Sequence, residues 1–136
     1  FTLATEPEGR ARLRRYYRGF LDLAAEAGAG LILEAPTWRA SREWGEKLGL
    51  DTDRIVEANR SAIGLMAKLR KEFRGARPVV VSGQIGPRGD GYAPDALQTP
   101  EEAEAYHAHQ VRTLAGTEAD LVTALTMTHV GEAAGV

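Results

Sequence analysis

The chain has 136 residues and a net charge of −2, so it is long enough for one domain with a buried core and has no basic excess to attract nucleic acid. It contains no cysteine, which excludes disulfides, thiol catalysis and cysteine-ligated metal within these residues. No apolar run reaches the roughly 20 residues needed to cross a bilayer, and FTLATEPEGRARLRR at the start lacks the apolar core of a signal peptide. No membrane partner is therefore expected, and a cytoplasmic location is.

The segment TEPEGRARLRRYYRGFLDLAAEAGAG reads as the first helix. Thr5 and Glu8 have capping-box spacing, and Pro7 suits a first turn. Leu13, Tyr16, Tyr17, Phe20, Leu21, Ala24 and Ala27 recur at helical spacing. Arg10, Arg12, Arg14, Arg15 and Arg18 form the solvated remainder, and Gly28 and Gly30 end the helix. LILEAPT at 31–37 is a short buried strand. A short helical stretch, WRASREWGEKLGL, follows it. DTDRIVEANRSAIGLMAKLRKEFRG is a longer helix capped by Asp51 or Asp53 and closed by Gly75. Its apolar positions are Ile55, Val56, Ala62, Ile63, Met66, Leu69 and Phe73. PVVVSGQI at 78–85 is a second strand without polar alternation, so both of its faces are expected to be covered. After a glycine-rich loop, Thr99, Pro100 and Glu102 again give a cap, a first-turn proline and a box. Ala103, Tyr106, Gln110, Val111 and Leu114 mark the inner face of that helix. ADLVTALTM at 119–127 is a third buried strand, and THVGEAAGV starts another helix.

Strands that alternate with helices and lack in/out alternation indicate an α/β fold with a parallel sheet built of βαβ units. An open doubly wound sheet usually places a G-x-G-x-x-G turn after its first strand, and none occurs here. A (β/α)8 TIM barrel needs roughly 250 residues, so the chain would be about half of one. The first residue is Phe rather than Met, and EAAGV at the end carries no capping signal. Residues 1–136 are thus expected to be one partial domain of a longer protein. Its outer strands would expose unpaired edges, which missing parts of the protein cover or, as the alternative, a homo-oligomer pairs edge to edge.

In such a barrel the chemistry sits on the loops that follow strand C-termini. Three places qualify: Glu34, Thr37, Trp38, Arg39 and Ser41 after the first strand; Ser82, Gln84, Arg88, Asp90 and Tyr92 after the second; Thr126, Thr128 and His129 after the third. Polar groups and one large aromatic would converge on one rim, as in a small-molecule site. Plainer roles compete. Glu34 can pair structurally with an arginine, Trp38 can plug the barrel mouth, and His129 can start a helix. His107 and His109 are two apart and point to different sides, so they do not share a metal. Gly83, Gly86, Gly89 and Gly91 with Pro87 make a shaped loop, which Arg88 and Asp90 can brace as an ion pair unless one of them faces a ligand. Arg88-Gly89-Asp90 also spells an adhesion tripeptide, a short match that leaves a non-catalytic interaction module as one alternative.

AGAGLILEAPTWRAS, VVVSGQIGPRGDGY, the Y-x-x-x-Q of Tyr106 and Gln110, and the T-x-T-x-x-x-E-A from Thr126 to Ala133 resemble successive motifs of the homocysteine S-methyltransferase family. The likeness covers nearly the whole chain and is strongest to a branch carrying TPTWRAS and GPRGDGY. It implies strands two to four of a (β/α)8 barrel in which a zinc-bound homocysteine thiolate takes a methyl group from a donor, in methionine biosynthesis. Zinc lowers the thiol pKa and holds the nucleophile. The family's zinc cysteines belong to later strands, so the resemblance implies zinc in the full-length protein and none bound by this chain alone. Many members end the fourth strand with a glutamate that binds the substrate amino group; Leu125 stands there in this chain. Compensation by Glu34 or Asp90, another thiol, or a different nucleophile all remain open.

The expected function is methyl transfer to homocysteine or a related thiol, with Glu34, Thr37, Trp38, Arg39, Ser82, Gly83, Arg88, Asp90 and Thr126 binding substrate. No residue is assigned as a catalyst or a metal ligand. The partners are then a small-molecule thiol and a methyl donor. A barrel that binds or hydrolyses another small molecule is the second reading.

Overall fold

In the computed structural model, which describes residues 1–92 and 97–136, the three apolar runs form one parallel sheet. Its strands are β1 (Leu31–Ala35), β2 (Val79–Ile85) and β3 (Leu121–Ala124), in that spatial order. Leu31 lies opposite Val79 and Glu34 opposite Ser82; Ser82 in turn faces Leu121, and Ile85 faces Ala124. The strands are joined by helices, as parallel neighbours require. The helices are α1 (Pro7–Glu26), α2 (Arg42–Glu46), α3 (Thr52–Glu72), α4 (Pro100–Ala115) and α5 (Val130–Gly135). The end of the PRGDGYAPD stretch falls in 93–96, outside the described residues.

Alternation along each strand separates two faces. Leu33, Ala35, Val81 and Ile85 point into the helical layer, where they pack with Ile63, Met66 and Leu69 of α3 and Leu114 of α4. Each large side chain fully buried there contributes about 1.5–3 kcal/mol. The opposite face carries Ile32, Glu34, Val80, Ser82, Gln84, Leu121 and Thr123. On β2, where both faces are expected to be covered, Val81, Gly83 and Ile85 are buried on the helical side, and on the other side Ser82 is buried with Val80 and Gln84 half-buried; on the flanking strands that second face is open, with Ile32 54% exposed and Leu121 39%. Among the described residues, β1 and β3 each pair with β2 alone.

The caps follow local chemistry, with one correction. Asp51 caps α3 by accepting from the Arg54 backbone N–H at 2.9 Å, and Thr99 with Glu102 forms the full reciprocal box on α4. Thr5 does not cap α1. Thr2–Thr5 instead closes a 3-10 turn in which the Thr5 hydroxyl donates to the Thr2 carbonyl at 2.8 Å, and Glu6 becomes the N-cap without a side-chain bond. With α1 starting at Pro7 and Glu6 in the cap position, Thr5 lies one residue too early for its hydroxyl to accept from the first turn. The strands also stop earlier than expected. β1 ends at Ala35 because the Thr37 N–H turns back to the Ala35 carbonyl at 2.7 Å. β3 runs only from Leu121 to Ala124, ending two residues before Thr126 takes a left-handed φ of 59°, and as an outer strand it has no fully buried residue. α3 ends at Glu72, with Phe73 rather than Gly75 as its C-cap.

These caps give a paired test. Thr99→Ala should cost about 1 kcal/mol of stability in urea denaturation. Thr5→Ala should cost clearly less, because its hydroxyl satisfies no helix N–H. Equal losses would contradict the cap assignments.

Candidate functional site

Beyond the end of β1 the chain makes a tight turn, with the Ala40 N–H bonded to the Thr37 carbonyl at 2.8 Å. That turn places Trp38 and Arg39 at its corner. Thr37 is fully buried, and its hydroxyl donates to the Gln84 carbonyl and accepts from the Gln84 N–H, both at 2.8 Å. One side chain thereby continues the β1–β2 ladder after the backbone of β1 has turned away. Gln110 of α4 donates to the Thr37 carbonyl at 2.8 Å and to Asn59 Oδ1 at 3.1 Å. Asn59 donates to the carbonyls of Ala40, at 2.7 Å, and Ile55. Asn59 was missed by sequence reasoning. Its signal was a polar residue on the inner face of α3, four positions after Ile55 and four before Ile63.

Three loops meet on Trp38. Its indole N–H reaches Thr126 Oγ1 at 3.1 Å and the Leu125 carbonyl at 3.3 Å, while the Gly86 N–H bonds the Trp38 carbonyl at 3.0 Å. A β-carbon at Gly86 would lie 2.8 Å from the indole ring, so only glycine lets the β2 loop pass beneath it. Thr126 pays backbone strain in its left-handed conformation, unusual for a β-branched residue and typical of sites where surrounding contacts dictate geometry. The Arg39 guanidinium lies over Trp38 at 5.0 Å and over Trp44 at 4.1 Å. Trp38, the β2 loop and Thr126 thus share one rim.

The β2 loop is held from behind. The Arg88 N–H donates to Glu132 Oε1 at 2.6 Å, and His107 Nε2 is 3.0 Å from the same oxygen. His107 and Glu132 are each 1% exposed. His129 Nδ1 accepts from the Glu132 N–H as the N-cap of α5, so it starts that helix. The Arg88 side chain pairs with Glu43, Nε to Oε1 2.6 Å, and lies over the Tyr106 ring. This replaces the expected Arg88–Asp90 pair. Gly89, with φ of 74°, turns the chain so that Asp90 instead accepts from the Tyr92 N–H at 2.9 Å.

Glu34 and Ser82 lie on the sheet face opposite the helices. Ser82 shares a 2.7 Å hydrogen bond with Thr123, and Glu34 Oε2 is buried without a partner among the described residues. Gly83 points the other way, where a β-carbon would meet Leu114 Cδ1 at 2.8 Å, so glycine there serves α4 packing. Tyr17 donates to the Glu34 carbonyl at 2.8 Å. Burial first, then the charges of Tyr16 and Glu34, push its pKa up to about 12. Among the described residues no three His, Asp or Glu side chains cluster as metal ligands.

Two measurements check this geometry. Glu132→Ala strips a buried acceptor from both Arg88 and His107, and should cost about 3 kcal/mol or more in thermal or urea unfolding, with Glu132→Gln costing less. The folded chain keeps the Tyr17 proton above pH 10, where an unfolded tyrosine loses it. Its stabilisation is therefore full below about pH 10 and lost as pH rises toward 12. Tyr17→Phe should remove the latest phenolate in an alkaline absorbance titration and flatten that part of the stability curve.

Comparison with known proteins then places the chain. The family model for homocysteine S-methyltransferase matches residues 2–136. Two solved structures of the homocysteine methyltransferase MmuM from Escherichia coli share the fold. The oxidized form is 24% identical with a TM-score of 0.73, covering 96% of this chain and 45% of that one. The metallated form is 26% identical with a TM-score of 0.73, covering 96% and 46%. The chain thus spans under half the length of those solved chains. No curated protein matches it. Its three parallel strands and their helices correspond to part of that barrel, and the chain belongs to the homocysteine S-methyltransferase family.

Proposed function

We propose that these residues form one wall of a barrel mouth that transfers a methyl group to the sulfur of homocysteine or a related thiol. The observation that carries this reading is the convergence of three strand-end loops on Trp38, in a chain of this family. In the reaction the thiolate forms a new S–CH3 bond as the donor's bond to that methyl breaks, and the donor leaves with the bonding pair. With homocysteine as acceptor the product is methionine, which makes methionine biosynthesis the setting of this reading.

The role of this wall is positional. Thr37, held by Gln84 and Gln110, and Trp38, tied to Thr126, fix the rim against which acceptor and donor are aimed. Arg39, Arg88 and Asp90 supply charge around it, and Glu34 and Ser82, neighbours in register, supply polar groups on the inward face, while Gly83 lets α4 pack close behind them. Zinc is expected for such chemistry, yet the residues here do not fit it: the chain has no cysteine, and no ligand cluster occurs among the described residues. In this reading the metal's ligands belong to other parts of the intact protein. Leu125, whose carbonyl bonds the Trp38 indole while its side chain is 37% exposed, offers no acceptor for an ammonium group. That favours, as a second reading, an acceptor other than homocysteine. An adhesion role finds less support, because the Arg88 side chain is engaged by Glu43 and Tyr106.

The test is thiol methylation by the intact protein, followed by mass spectrometry across thiol acceptors and methyl donors. Trp38→Ala should lower kcat/KM about 100-fold by loosening the rim. Failure of every thiol to gain a methyl group would refute the reading.

A further inference from the structure

We infer that His129 is a pH-dependent cap: its ring holds α5, and through Glu132 the β2 loop, only while Nδ1 carries no proton. The inference stands on geometry and does not depend on which reaction the mouth performs. The Glu132 N–H donates to His129 Nδ1 at 3.3 Å, the side-chain cap of that helix. An imidazole nitrogen accepts only when it is unprotonated. The neutral ring therefore keeps its one proton on Nε2, which lies 3.7 Å from Glu132 Oε2. A second proton has only Nδ1 to go to. There it turns the acceptor into a donor, and two N–H groups face each other across the bond that closed the first turn.

The consequence reaches the loop through one side chain. α5 is only 6 residues long, and so short a helix has little stability apart from its cap and its packing. Glu132 sits in its first turn, where Oε1 accepts from the Arg88 N–H at 2.6 Å and meets His107 Nε2 at 3.0 Å. An imidazolium at position 129 is also drawn to the Glu132 carboxylate. That attraction does not restore the cap. It pulls on Oε2, and so turns the carboxylate away from the Arg88 N–H that Oε1 holds. The lost cap and the new attraction act in the same direction. The β2 loop is released from behind, while its Gly86 N–H still bonds the Trp38 carbonyl.

His129 is the member of this cluster placed to sense solvent. Its side chain is 14% exposed, against 1% for His107 and for Glu132. A proton added to His107 would go to Nδ1, which is buried with no acceptor among the described residues. From α4 the carboxylate meets His107, from the β2 loop the Arg88 backbone, and from its own helix His129. Among the described residues no other charged side chain is in ion-pair contact with Glu132 or His129. The Arg88 guanidinium is turned to Glu43 and Gln98, and Asp90 accepts from the Tyr92 N–H. The usual N-caps are asparagine, aspartate, serine and threonine. None of them changes from acceptor to donor near neutral pH, as histidine does.

The experiment follows the Arg88 amide of the intact protein by NMR-detected hydrogen exchange from about pH 7.5 to about pH 5.5, a range that brackets the ordinary histidine value of about 6.5. Rates are divided by those of an unstructured chain at the same pH. In the unmodified protein the protection of that amide should fall about five- to ten-fold on acidification, in step with the titration of the His129 ring. His129→Asn keeps a side-chain acceptor that does not titrate in this range, and should hold the protection level throughout. His129→Ala should be poorly protected at both ends. Thermal midpoints at neutral pH check that each variant folds. Constant protection in the unmodified protein, or a fall that His129→Asn shares, overturns the inference; the shared fall would move the proton to His107 or Glu132. A fall out of step with the His129 ring overturns it on the unmodified protein alone.

Discussion

The rim depends on a hydroxyl that behaves as a piece of backbone. Thr37 stands where β1 has already turned, yet its Oγ1 completes both hydrogen bonds of Gln84, as a paired strand residue would. This frees the main chain to form a turn without orphaning the β2 groups, which would be costly in a buried place. The turn carries Trp38 and Arg39 outward while its base stays in register with the sheet. Gln110 and Asn59 then bind the turn's carbonyls from α4 and α3, so the rim is braced by two helices as well as by its own strand. A satisfied buried network of this kind specifies one arrangement, because any slip leaves several polar groups unpaired together.

On that base the second and third loops are positioned by different means. The β2 loop is threaded beneath the indole through Gly86 and gripped from behind by the oxygen that Glu132 shares between Arg88 and His107. The β3 end is pulled over by Trp38 and holds Thr126 in a left-handed conformation. Strain at one residue is tolerated because the contacts around it are many, and such strain accumulates where geometry matters more than local stability. Loops fixed by backbone bonds and buried pairs give a precise mouth at little entropic cost when a ligand arrives.

The same face that carries Glu34, Ser82 and Gln84 also carries exposed Ile32 and Leu121. Mixed apolar and polar side chains on the non-helical face are what a barrel interior requires, with the polar groups toward the strand C-termini and the apolar ones below. That layering agrees with the family assignment and with a fold that corresponds to part of a longer solved chain.

The order of elements, the parallel sheet and the placing of Trp38, the β2 loop and Thr126 at one end of it were legible in the sequence, because each rests on local signals. Uninterrupted β-branched runs mark buried strands, helical periodicity marks the crossovers, and the loops after strand ends follow from chain direction alone. The Thr99 box was legible for the same reason, since donor and acceptor lie three residues apart. Contacts between distant residues were not. Thr5 has the spacing of a cap but bonds backward to Thr2, and Arg88 passes over nearby Asp90 for Glu43, 45 positions away. The spacing of His107 and His109 showed only that they point to different sides; the partner of His107, Glu132 at the start of α5, lies 25 positions away. Short spacing decides which groups can meet locally. Only the packed chain decides which meeting wins, because burial raises the cost of every group left without a partner and so selects the arrangement that satisfies the most of them.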